Sequence, residues 1–328
     1  MISSICTLFE GHYHYGVAGL SNSLYNKGFR GSIYAGYRGT LPDWCSNAQE
    51  NAQLQWPGSK TLQISKELNI HFLPLETDYH FTNYKPDFMI RLMNGPAKSD
   101  EAIYYFDPDI IITAPWRCFE EWVSCGIALC EDVNSPLAEN HPRRIAWRNY
   151  FQDKGVDLHF KESIYANGGF VGVHKTDIEF LTCWQSIQEL MAPEVGGLSR
   201  SSLNGLMIPA EARGPFAPFG KTDQDALNAT VEAWAGKVSF LGKEAMAFSA
   251  GLSLLPHALG HPKPWQWKPI IQAMNGQPPR LVDREYWNVV NSNFNTHSSF
   301  LVKKRKMCIA IAALIGRFYK RGSNGSPY

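Results

Sequence analysis

The chain lacks a charge bias. Its 31 Lys and Arg against 30 Asp and Glu leave a formal net charge of +1 over 328 residues, which removes the general electrostatic case for a nucleic acid partner. It also lacks a cysteine framework. Cys6, Cys45, Cys118, Cys125, Cys130, Cys183 and Cys308 are odd in number and form no Cys-x-x-Cys pair, the pattern of reduced thiols rather than of disulfides or a zinc site. There is no internal repeat and no low-complexity tract. The opening residues, Met1 to Phe9, carry no basic segment and soon meet Glu10 and His12, so they read as a first strand and not as a secretory leader. The expectation is a cytoplasmic protein. With 44% hydrophobic and 19% charged residues, the chain has enough apolar material for a substantial α/β core.

Periodicity supports that class. Tyr15 to Tyr25 has helical spacing and stops at Asn26-Lys27-Gly28, after which Gly31 to Gly36 reads as a second strand and Leu68 to Leu75 as another. Alternating strand and helix predict a largely parallel sheet. Ile103 to Ile112 reads as a buried strand interrupted by two aspartates, and a strand is expected near Gly126 to Leu129. A proline-broken helix is expected from Pro136 to Phe151, a strand and turn from Ile164 to Val173 and a helix from Thr176 to Met191. Residues 192 to 221, rich in Gly, Pro and Ser, form a long loop of the kind that is usually functional. Thr222 to Asn228 opens a further helix, in which Asp223 would serve as an N-cap or as a site residue.

Two segments carry chemistry. Phe106-Asp107-Pro108-Asp109 sets two carboxylates at a strand end, and burying both is costly unless a cation or strong donors satisfy them. Hard oxygen ligands suit Mg²⁺ or Mn²⁺ with positions left for phosphate oxygens. Far downstream, His257-Ala258-Leu259-Gly260-His261-Pro262-Lys263-Pro264-Trp265 adds an imidazole, which shifts the preference towards Mn²⁺. Its Gly260 permits close approach of the backbone, and Lys263 supplies a mobile positive charge. Together these groups describe a divalent ion clamped onto a diphosphate.

Asp107-x-Asp109, Asn167-Gly168-Gly169, Asp223-Gln224-Asp225-Ala226-Leu227-Asn228 and His257-x-x-Gly260-x-x-Lys263-Pro264-Trp265 occur in that order. In this the chain resembles the family 8 glycosyltransferases, over roughly residues 1 to 270. The resemblance implies a single GT-A type domain, a Rossmann-like mixed α/β sheet flanked by helices, followed by a C-terminal helical extension over residues 271–328. It implies Asp107, Asp109 and His257 as ligands of Mn²⁺ or Mg²⁺, and Gly260 with Lys263 as the diphosphate site. Arg91, Asn167, Gly168 and Asp223 would bind the donor sugar, and Gln224 with Asp223 would act in catalysis. The family's first-strand signature is replaced by Thr7-Leu8-Phe9-Glu10-Gly11-His12-Tyr13, which offers Thr7, Phe9 and Tyr13 as the nucleotide contacts.

The function so implied is transfer of a hexose from a nucleotide sugar, expected to be a UDP-sugar, to a glycan or glycolipid hydroxyl with retention. The rivals are a non-catalytic binder of nucleotide sugars or glycans on a transferase fold, and a sugar-nucleotide pyrophosphorylase. The latter would want a basic Gly-rich loop after the first strand, and residues 9 to 20 contain no Lys or Arg. Residues 303 to 321 change character, with Lys303-Lys304-Arg305-Lys306 before an apolar run and Arg317, Lys320 and Arg321 after it. Met307, Ile311, Leu314, Ile315 and Phe318 share a helical face. Ten apolar residues are too few to span a bilayer. Either this helix lies on the inner face of the membrane, suiting a lipid-linked acceptor, or it packs on the domain.

Overall fold

The computed structural model describes residues 1–203 and 205–318. Strand β1, Ser3–Glu10, is buried along almost its whole length, as a central parallel strand covered on both faces must be. Helix α1, His14–Asn26, returns the chain to β2, Gly31–Arg38. Gly28, at φ +96°, makes the reversal that a side chain would resist. The next strands are β3 (Gln49–Glu50), β4 (Lys60–Ser65) and β5 (Leu68–Pro74), and helix α2 (Lys85–Met93) leads into β6, Ala102–Phe106. Helix α3 (Trp116–Val123), β7 (Ile127–Glu131) and α4 (Pro142–Gln152) follow, then β8 (Ala166–His174) and α5 (Glu179–Val195). The tiny strands β9 (Arg200–Ser201) and β10 (Leu206–Met207) precede α6 (Thr222–Ala233) and β11 (Val238–Leu241). Helices α7 (Pro269–Met274), α8 (Leu281–Val289) and α9 (Ser299–Gly316) close the described chain.

The result is a mixed α/β fold with a large central sheet flanked by helices. Among the described residues the sheet runs β11-β7-β8-β6-β1-β2-β5-β4-β3. Strands β6, β1, β2 and β5 are mutually parallel, whereas β8 is antiparallel to both β6 and β7. Strand β4 is also antiparallel, at the far side of the sheet, but it is the reversal of β8 that decides where the site forms. The start of β8, with Asn167 to Gly169, lies beside the finishing ends of β6 and β7, so residues from all three strands meet at one edge.

Several expectations need correction. The strand expected over 103–112 stops at Phe106, because Asp107-Pro108-Asp109 turns the chain and Pro108 has no amide hydrogen to continue a ladder. The Asn167-Gly168-Gly169 segment, expected as a turn, lies inside β8. The helix expected from Pro136 starts only at Pro142, where His141 caps it by accepting from Arg143 N at 3.2 Å. The 192–221 segment is largely loop, as its composition indicates, although α5 extends to Val195.

Behind the sheet edge, α1 presses on the aspartate turn. A Cβ on Gly16 would lie 2.3 Å from the Pro108 carbonyl oxygen and 2.8 Å from the Trp265 ring, so only glycine fits between them. Trp265 and Trp267 are buried with Ile111, Tyr286 and Trp287 in a core that joins the C-terminal helices to the domain, which assigns these indoles to packing. Gly16→Ala should therefore destabilise the fold by roughly 1–3 kcal/mol, the usual cost of overpacking. Urea denaturation is the measurement, and an unchanged midpoint would show that α1 does not brace the turn.

Candidate active site

Past Phe106 the chain carries two acids to the sheet edge, Asp107 partly exposed and Asp109 buried. Asp109 is 5% exposed and Lys263 7%. Their side chains meet at 2.5 Å, and Lys263 Nζ also donates to Ala258 O at 2.7 Å. The His257 segment lies alongside the turn, pairing Ile110 with His257 in an isolated antiparallel bridge and donating Ala258 N to Asp109 O at 3.1 Å. This brings His257 Nε2 to 3.3 Å from Asp109 Oδ1 and 3.8 Å from Asp107 Oδ2. Burial alone would push Asp109 up, but the Lys263 ammonium and then His257 outweigh it, holding the carboxyl well below the usual carboxylate range.

The second acid has its own cation. Lys85, the first residue of α2, is buried and lies 3.3 Å from Asp107 Oδ1 and 3.2 Å from Asp223 Oδ2. It also donates to Gly168 O at 2.7 Å. Burial works against its charge, but Asp107 and Asp223 together raise the ammonium above its ordinary range. Tyr105 adds a hydrogen bond, its hydroxyl donating to Asp107 Oδ1 at 2.9 Å. Three carboxylates and two ammonium groups thus cross-link the end of β6, α2, α6 and the 257–263 segment.

Asp107, Asp109 and His257 each offer one ligand atom, and these atoms lie within 4.8 Å of one another. Two carboxylates and one imidazole suit Mn²⁺ or Mg²⁺. The space between them is kept open by Gly169, where a Cβ would come within 2.6 Å of His257 Cε1 and 3.0 Å of Asp107 Oδ2. His257 Nδ1 is buried without a hydrogen-bond partner. The residues fit a divalent cation.

Around them is a cavity of about 330 Å³. Phe9, Tyr13, Asp107, Asp109, Asn167, Gly168, Asp223, Gln224, His257, Gly260 and Lys263 all line it. Two expected residues do not. Thr7 is buried within β1 with its hydroxyl unpartnered, and Arg91 is exposed with its guanidinium 3.5 Å from the centroid of the Trp56 ring. Asn167 is held on both sides, donating from Nδ2 to Asp132 Oδ2 at 2.7 Å and accepting from Gly169 N at 2.9 Å. Gln224 Oε1 accepts from Gly168 N at 3.3 Å, which leaves Nε2 buried and unpartnered. Asp223 is not an N-cap, because its carboxylate turns to Lys85 instead.

Sequence reasoning missed Lys85, Tyr105 and Asp132. A lysine at a helix start is normally solvated and gives no warning. Asp132 did carry a signal, since it follows a strand end just as Asp107 does.

No protein-family model matches the chain, and no curated protein matches it. Among solved structures it is similar to the WbbM bifunctional glycosyltransferase, with 10% identity, a TM-score of 0.49 and coverage of 93% of this chain and 52% of that one. It is also similar to the glycosyltransferase GlyE of Streptococcus pneumoniae TIGR4, with 15% identity, a TM-score of 0.49 and coverage of 94% and 64%. This chain therefore spans about half to two thirds of those proteins. At such identity and superposition neither likeness bears on chemistry.

Next to Gln224, Asp225 is fully buried and accepts from Tyr165 Oη and Lys221 N, each at 2.7 Å. Burial raises its pKa to about 6, with Arg143 as the largest opposing influence. An acid whose folded pKa is raised binds a proton on folding, so stability falls as pH rises from the ordinary carboxylate range to about 6. Unfolding free energies of the wild type and Asp225→Asn should diverge across that window. The wild type should lose roughly 3 kcal/mol relative to the variant by neutral pH. Parallel pH profiles would show that Asp225 stays ionised in the fold.

Proposed function

We propose that this protein is a metal-dependent glycosyltransferase that moves a hexose from a nucleotide sugar, a UDP-sugar by the sequence resemblance, to a glycan or glycolipid hydroxyl with retention. One observation carries the reading: two strand-end carboxylates and an imidazole converge in a cavity that also contains Lys263 and Gly260. Asp107, Asp109 and His257 would hold Mn²⁺ or Mg²⁺, which supplies Lewis-acid charge to the diphosphate oxygens. Lys263, which lines the cavity while its ammonium is held by Asp109 and the Ala258 carbonyl, would add positive charge beside the diphosphate. Gly260, at φ +67° with nothing within 4 Å of a Cβ position, leaves room for a phosphate against the backbone.

Phe9 and Tyr13 offer aromatic surface for the nucleobase. Asn167, Gly168 and Asp223 bind the sugar, and the Lys85 pair fixes Asp223 in place. The acceptor hydroxyl oxygen attacks the anomeric carbon on the face from which the diphosphate departs. The carbon–oxygen bond to phosphate breaks with its electron pair going to the phosphate oxygen, which takes the hydroxyl proton. The products are a glycoside of unchanged configuration and a nucleoside diphosphate, with no separate base required. Gln224 stabilises the positive charge at the anomeric carbon through its carbonyl, which keeps a lone pair beyond its bond from Gly168 N.

Calorimetric titration of UDP with and without Mn²⁺ tests the site. Wild type should bind only in the presence of the ion, and Asp109→Ala should lose that binding while remaining folded. Lys263→Ala should weaken diphosphate affinity by roughly 1.5–3 kcal/mol, the worth of a charge-assisted contact. Gln224→Ala should instead lower turnover in donor hydrolysis with little change in donor affinity. Metal-independent binding of equal strength in wild type and Asp109→Ala would sink the assignment.

A further inference from the structure

Helix α9 divides its apolar residues between two faces. Ile309 and Ala312 are buried, and Leu301 and Val302 pack against the core of Trp265, Tyr286 and Trp287. Arg305 reinforces this attachment, donating from Nη1 to Trp267 O at 2.7 Å. The packed face therefore satisfies the helix structurally. Phe300, Met307, Ile311 and Leu314 lie on the opposite side of the helix, and Phe318 in the turn after Gly316, between 41% and 83% exposed. On the helix their spacing alternates four and three residues once Lys304 is included, which makes one stripe about 21 Å long at 1.5 Å per residue. Single exposed apolar residues are ordinary, but four aligned on one helix face with a fifth just beyond its end mark an interaction surface.

The charge around the stripe selects its partner. After Glu285 the sequence contains no acidic residue, while Lys303, Lys304, Arg305, Lys306, Arg317, Lys320 and Arg321 are all cationic. Lys320 and Arg321 lie outside the described residues. Arg284 and Lys306 also line a groove between α8 and α9. A second copy of the chain would set this charge against itself. An anionic bilayer complements both features, accepting the apolar stripe into its headgroup boundary and the cations at its phosphates. Among the described residues no helix is long and apolar enough to cross a membrane, which fits a helix lying in the plane of the surface.

We infer that α9 docks the protein on an anionic phospholipid surface through Phe300, Met307, Ile311, Leu314 and Phe318, with Lys303 and Lys304 bound to lipid phosphates. Because the opposite face already packs on the domain, docking needs no refolding. It also sets the 257–267 segment close to the membrane through Arg305 and Trp267. The inference is independent of the transferase reading, since it uses none of the cavity residues.

Co-sedimentation of the full chain with vesicles tests it. Wild type should sediment with phosphatidylcholine mixed with phosphatidylglycerol and stay in the supernatant with phosphatidylcholine alone. The double variant Lys303→Gln/Lys304→Gln should partition roughly 30-fold more weakly, from about 1 kcal/mol per cation. Ile311→Ser/Leu314→Ser should lose the part of the binding that survives high salt, because screening removes only the electrostatic part. Both variants should keep wild-type thermal stability and Mn²⁺-dependent UDP binding, whatever the size of that binding. No binding of wild type to anionic vesicles overturns the inference, as does equal binding by wild type and both variants. A concentration-dependent dimer in sedimentation velocity that the serine variant abolishes, without vesicle binding, would assign the stripe to a second copy instead.

Discussion

The pairing of Asp107 and Asp109 with Lys85 and Lys263 is the constraint on which the rest of the site depends. A carboxylate in so apolar a setting is tolerable only with a cation in contact, and removing one partner of such a pair leaves an uncompensated charge in the interior. Each aspartate has its own ammonium, and the two lysines come from segments far apart in the sequence. Lys85 draws α2 and α6 towards β6, and Lys263 draws the 257–263 segment over the aspartate turn. The cavity is the space these bonds enclose. Its walls are placed by charge neutralisation as much as by apolar packing.

The antiparallel strand β8 makes this arrangement possible. In a wholly parallel sheet the finishing ends of strands would supply every residue at that edge. Here a beginning is inserted between two endings, so the small residues Gly168 and Gly169 lie where bulk is least tolerable. The absence of a side chain on Gly169 leaves room beside His257, and the Gly168 carbonyl receives Lys85. These glycines serve through the space they leave.

Much of this was legible in the sequence. The alternation of strand and helix gave the α/β class, and the paired aspartates with the distant His257 pointed to groups that the fold does bring together, because an apolar run interrupted by acids is conspicuous in one dimension. What could not be read was the set of partners. Lys85 meets Asp223 across 138 residues, and neither neighbourhood betrays the other. The Gly168-Gly169 pair suggested a turn because glycine punctuates chains, yet here close approach required it. Arg91 and Lys85 share α2, and only the packed helix shows that Lys85 reaches Asp107 and Asp223 while Arg91 lies over Trp56. For α9 the periodicity was plain, but whether its apolar face was the covered one needed the fold, and the covered face is the one bearing Ile309 and Ala312.

The ion pair of Asp109 with Lys263 spans 154 residues of chain, and that separation governs when the cavity can exist. Contacts so distant in sequence close late, because loop entropy is spent before they return anything. During synthesis, Asp107 and Asp109 leave the ribosome long before His257 and Lys263. Until the 257–263 segment arrives Asp109 lacks the ammonium that neutralises it, whereas Lys85 is already present for Asp107. The cavity is thus completed only after every described strand of the sheet has been synthesised.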